Sequence, residues 1–115
     1  MRYPMPVTMR AASFAATGAS YADIPGSDMD LAEQKSTLGI AVSCDAGGQL
    51  DVQTIASNDS DYTVSVVVGS ATGVASGSTG TITATNLPWR HYKSQAKPTA
   101  SGEPATGSVW GLAKP

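Results

Sequence analysis

Leu38–Val68, LGIAVSCDAGGQLDVQTIASNDSDYTVSVVV, reads as three apolar-alternating runs separated by two loops rich in Gly, Asp, Asn and Ser. In the first run Leu38, Ile40, Val42 and Cys44 share one face, and Gly39, Ala41 and Ser43 share the other. Leu50, Val52 and Thr54 repeat the pattern, followed by Tyr62, Val64, Val66 and Val68. A period of two with β-branched enrichment is the signature of a strand, so the stretch predicts a meander of antiparallel strands near residues 36–44, 49–57 and 61–68. The Asp45–Gly48 link predicts a tight hairpin loop, and Asn58–Ser60 the next turn. One face of such a sheet must be buried. The small residues on the other suit a second packed layer or a neighbouring subunit.

Working outward, residues 20–24 read as a short strand ended by Pro25-Gly26, and 27–35 as one helical turn with an acidic start and Lys35 near its end. Residues 69–79, GSATGVASGST, read as a flexible loop, and 98–106 as a second Gly and Pro loop. Strands follow at 80–86, 89–97 and 107–112. At the start of the chain Pro4 and Pro6 force an extended backbone on which Tyr3, Met5, Val7 and Met9 alternate. The expected organisation is an extended N-terminal arm over residues 1–19 and a β domain over 20–115, the arm either reaching onto a neighbouring subunit or folding back over its own domain as an edge strand. About eight short strands and almost no helix predict an all-β fold, an antiparallel β-sandwich of jelly-roll kind.

The chain has 115 residues, the size of one domain with a single core. Charged residues make up 14%, well below the roughly 25% usual in soluble domains, which leans towards a surface covered by other protein. The net charge of −2 divides unevenly: residues 23–61 carry eight acids against Lys35, whereas 90–114 carry Arg90, Lys93, Lys97 and Lys114 against Glu103. Opposite local signs suit either head-to-tail contacts between identical subunits, with Arg90, His91 and Lys93 meeting the acidic loops, or ordinary solvated loop carboxylates beside one basic strand face. No basic stripe with aromatic platforms marks a nucleic-acid partner, and no stretch has the length and apolarity of a membrane span or a signal peptide. The single Cys44 falls in phase with Leu38, Ile40 and Val42 and reads as a small buried hydrophobe in a protein made in a reducing cytoplasm.

Chemistry is sparsely represented. His91 is the only histidine, lies in a basic strand, and has none of the sequence context of a hydrolase nucleophile, so it reads as a surface or interface residue. One Cys and one His do not make a zinc site, and no cofactor is expected. Asn58, Asp59 and Asp61 read as turn formers; the run is too short for a calcium loop and lacks its terminal Glu. Trp89, Tyr92 and Trp110 would be the stacking platforms of a sugar-binding module if their rings were exposed, and core residues otherwise.

Taken together, LGIAVSC, GGQLDVQ, IASNDSDYTVSV and GTITATNLPWRHYK resemble the small jelly-roll-like structural proteins of tailed-phage virions, above all the capsid decoration, or cement, proteins. The resemblance covers residues 20–112 and brings no catalytic residues with it. It implies a non-enzymatic subunit on the virion surface that binds the major capsid protein as a homotrimer, and an arm that grips a neighbour. Tyr3, Met5, Val7, Met9 and Phe14 would then anchor the arm. A chain that starts at its own Met1 fits a whole decoration protein better than a fibre module. The alternative is a tail, baseplate or fibre component, including a carbohydrate-binding host-recognition module.

Overall fold

The computed structural model describes residues 6–31 and 37–114. In them nine strands run in chain order: β1 (Val7–Ala16), β2 (Ala22–Asp23), β3 (Met29–Asp30), β4 (Thr37–Gly47), β5 (Leu50–Ser57), β6 (Val66–Val74), β7 (Thr79–Thr85), β8 (His91–Pro98) and β9 (Ala105–Lys114). One sheet, sheet A, has the order β1-β9-β4-β7; the other, sheet B, has the order β2-β8-β5-β6, with β3 also on β8. All pairings between these strands are antiparallel. β2 and β3 lie end to end along β8, interrupted at Pro25-Gly26, where Gly26 takes φ 81°. Counted as one interrupted strand they give eight strands in two sheets, with the chain crossing between sheets at nearly every connection. This is a jelly roll.

The alternation seen in the sequence sets the core. Leu38, Ile40, Val42 and Cys44 of β4 are buried, and they face inward with Ile82 of β7, Val109 and Ala113 of β9, and Met9 and Phe14 of β1. Leu50 and Val52 of β5 and Tyr92 and Ala96 of β8 close the core from sheet B. Cys44 is wholly buried, as its phase predicts, and burial pushes its thiol pKa up. A small hydroxyl network fixes the interrupted corner: Ser27 Oγ donates to the Ile24 carbonyl at 2.7 Å and accepts from the Ser94 amide at 3.0 Å. Beside it Thr54 Oγ1 and Ser94 Oγ lie 3.0 Å apart, so these buried hydroxyls have partners.

Three expectations are corrected and one alternative is decided. The β4 and β5 runs do not form a hairpin: β4 pairs with β7 and β9, and β5 with β6 and β8, so the Asp45–Gly48 link crosses from one sheet to the other. Period-two alternation shows that a strand is half-buried but not which strand lies beside it. The third run is displaced. Asp59 Oδ1 accepts the Asp61 amide at 2.9 Å, Asp59 Oδ2 accepts the Thr63 amide at 3.2 Å, and Tyr62 has φ 55°, so 58–65 is a loop. The strand then starts at Val66 and runs through GSATGV, expected as a flexible loop, leaving Val64 78% exposed.

Residues 27–31 hold β3 and no helical turn; 32–36 lie outside the described residues. Lastly, the segment expected as an extended arm follows the fold-back alternative over Val7–Ala16, where it is an edge strand of sheet A in register with β9. Its alternating side chains find an apolar site within their own domain, so Met9 and Phe14 are core residues, and Val7 is half-buried at the edge of the core. Tyr3 and Met5 lie outside the described residues.

Candidate interaction surface

The outward residues of sheet A follow from its register. Arg10, Trp110, Ala41 and Thr81 stand in one row across the four strands, and Thr8, Leu112, Gly39 and Thr83 in the next. Flanking rows hold Ser108, Ser43 and Thr79 on one side and Lys114, Thr37 and Thr85 on the other. In these four rows only Arg10 and Lys114 are charged. Trp110 is 39% exposed, and the Arg10 guanidinium lies 5.8 Å from its ring centroid. Between Trp110 and β7 lies a shallow apolar depression of about 350 Å³, floored by Gly39 and Ala41 and bounded by Thr81, Thr83 and Leu112. At one margin Asp45 accepts the hydroxyls of Ser43 at 3.1 Å and Ser108 at 3.0 Å.

The outer face of sheet B has the opposite character. Because β2 and β3 both pair with β8, their carboxylates lie alongside its basic residues. Arg90 Nε donates to Asp30 Oδ1 at 2.8 Å, and Lys93 Nζ to Asp23 Oδ2 at 2.8 Å. Gln95 Nε2 donates to the second Asp23 oxygen at 2.8 Å, and Lys97 lies 4.0 Å from Asp51. Lys93 also stands 4.3 Å over the Tyr62 ring, which meets His91 edge-on at a centroid distance of 6.4 Å. The Lys93 and Gln95 hydrogen bonds hold the Asp23 carboxyl below the usual carboxylate range, and Arg90 does the same for Asp30. Burial, then the carboxylates of Asp28, Asp23 and Asp30, push Tyr62 well above the ordinary tyrosine value.

Arg90 and Lys93, expected to reach acidic loops of another subunit, therefore find those carboxylates within their own chain, and His91 packs on Tyr62 of the same chain. The acidic and basic stretches that lie apart in the sequence are neighbours in sheet B. Cys44 is in the core and His91 on an outer face, so the fold does not bring the two together. Both Asp59 oxygens are occupied by backbone amides, which supports the turn reading of Asn58, Asp59 and Asp61. Among the described residues no group of three or more His, Cys, Asp and Glu is placed to hold a metal ion. Of the aromatic platform candidates, Tyr92 is buried, Trp89 packs against the core, and Trp110 presents its ring to solvent. Arg10, which stacks on Trp110, was missed in the sequence because the pair is made across strands from opposite ends of the chain.

No protein-family model and no curated protein matches the sequence. Solved structures do match in fold. The prophage-derived protein YomS of SPBc2 superposes with a TM-score of 0.57 at 8% identity, over 98% of this chain and 97% of that one. A chain from Bacillus endospore appendages, described as a novel family of disulfide-linked pili, gives 0.53 at 19% identity over 95% and 88%. A chain from infectious bursal disease virus, Gx strain, gives 0.54 at 13% identity over 98% of this chain and 33% of that one. At these identities the likeness is one of fold.

Proposed function

We propose that this chain is a non-enzymatic structural subunit of a phage virion, and specifically a capsid decoration subunit that lays the outer face of sheet A on the shell of the major capsid protein. The observation that carries the reading is that face: four strands wide, almost free of charge, and centred on an exposed Trp110 flanked by Arg10. A neutral patch with an aromatic and an arginine at its centre has the composition of a binding hot spot. The occurrence of the same fold in a prophage-derived protein and in a virus particle supports it. Decoration would act by mass action, since each subunit bound to the closed shell favours that shell over its opened form, and a subunit spanning several capsid proteins gains avidity.

The test is sedimentation of the purified protein with undecorated phage heads, followed by heating of bare and loaded particles. Saturable binding and a raised disruption temperature are expected, and Trp110→Ala should weaken binding by about tenfold or more while keeping the fold. Heads that neither bind the protein nor gain stability would overturn the reading. The same exposed ring favours a second reading, a tail or fibre module that stacks a sugar on Trp110. Saturable quenching of tryptophan fluorescence by a glycan, lost in Trp110→Ala and without binding to heads, would establish that instead.

A further inference from the structure

From Tyr62 to Leu87 the sequence runs without one charged residue, histidine or proline. This stretch builds β6 and β7, which form one flank of the sandwich and are terminal strands of sheets B and A. Terminal strands offer unpaired amides and carbonyls to any other chain, and folded proteins blunt them with charge, proline, bulges or shortness. The other edges here carry such devices. β2 and β3 are two residues each, with Asp23, Asp30 and the Pro25 break. β1 carries Arg10 and a register shift between Ala11 and Phe14, with Ser13 at φ 60°. β6 has two register shifts against β5.

β7 has none of them. Its residues pair with β4 in unbroken register from Thr37↔Thr85 to Ser43↔Thr79, and its sequence, TGTITAT, is rich in β-branched residues. Among the described residues it is bonded on one side only. Gly69 and Gly80 let β6 and β7 pack closely across the interior, with Ile82 turned inward against Gly69. Among the described residues no backbone hydrogen bond reaches the lateral edge of β7.

We propose that β7 is a self-pairing edge: two copies of this chain join β7 to β7, antiparallel about a two-fold axis, and fuse two four-stranded sheets into one. A second copy is the occupant the chemistry selects. The edge matches its own counterpart without burying an ion, whereas every other edge of the molecule would bring a charge or an interruption against it. Two-fold pairing takes the place of the three-fold association implied by the resemblance. It also puts the two neutral outer faces side by side, doubling the surface centred on Trp110. The inference concerns self-association alone and stands whether or not phage heads are the partner.

Sedimentation velocity and light scattering of the purified chain, with no capsid present, should give twice the 11.7 kDa monomer mass, falling towards the monomer on dilution. Thr81 and Thr83 are exposed, so a Thr81→Lys, Thr83→Lys variant should keep the wild-type circular dichroism and melting temperature. Two-fold symmetry brings each added charge near its mate, and the dimer Kd should rise by about tenfold or more. Should the variant fail to fold, hydrogen exchange of the wild type decides: β7 amides should be more protected at high than at low concentration, with those of β1 unchanged. A chain that stays monomeric when concentrated, forms a trimer, or dimerises with β7 amides unaffected would overturn the proposal without touching the head-binding result.

Discussion

Gly107 and Gly39 lie on adjacent strands of sheet A and face opposite ways. A methyl group on Gly107 would fall 2.5 Å from Leu50 Cδ1 and 2.5 Å from the Ser43 carbonyl oxygen, between a core side chain and a fixed main chain. A methyl group on Gly39 would meet nothing within 4 Å, because that residue opens onto the depression beside Trp110. Gly107→Ala should therefore cost about 1–3 kcal/mol through overpacking, while Gly39→Ala should be neutral or stabilise by about 0.5 kcal/mol by restricting the unfolded chain. Urea unfolding of both variants checks this; equal midpoints would contradict the packing around β9. The same alternation decides Trp110, whose inward neighbours Val109 and Gly111 are buried while its own ring stays out.

At the scale of the element, β1 decides between a reaching arm and an edge strand of its own domain, in favour of the strand. It contributes Met9, Ala11, Phe14 and Ala16 to the core and supplies one of the two neighbours of β9. Each large side chain that loses its site forfeits about 1.5–3 kcal/mol of burial, against a total stability of about 5–15 kcal/mol for a domain of this kind. Deleting residues 1–16 should thus abolish cooperative unfolding, whereas Arg10→Ala, on the outer face of the same strand, should leave it intact. Thermal melts followed by circular dichroism separate these outcomes. A dispensable arm would instead tolerate the deletion. β6 teaches a related lesson: VSVVV has the composition of a buried strand, yet the Asp59 turn captures the start of the run, and Val67 remains 57% exposed at the flank.

For the molecule as a whole, a slab of 51 × 28 × 19 Å, the two outer faces differ in how they respond to pH. Sheet B holds the lowered carboxyls: Asp23 by its bonds from Lys93 and then Gln95, and Asp30 by Arg90; Asp59 in the adjoining loop is lowered by the Asp61 amide. A group whose folded pKa is depressed contributes stability above its unfolded value of about 3.9, and that contribution is lost as pH falls through the folded value. Tm should accordingly fall between about pH 5 and pH 3, modestly because these carboxylates are exposed and screened. Asp23→Asn should make the fall shallower; an unchanged acid limb would show that the Lys93 pair adds nothing to stability. Sheet A has almost no titrating groups on its face, so the head binding proposed for it should change little over the same range.

The period-two runs determined that this chain is an all-β sandwich, which residues of β4 point inward, and that Cys44 is core, because burial phase is a local property of alternating side chains. Strand partnership was decided only in three dimensions: β4 and β5 part into different sheets, β1 closes onto β9, and Asp23 and Asp30 come to lie beside Lys93 and Arg90. Those pairings depend on which distant segments share a core, and no local pattern records them. The candidate surface is their product, since Arg10 and Trp110 meet only once the two ends of the chain are joined in one sheet.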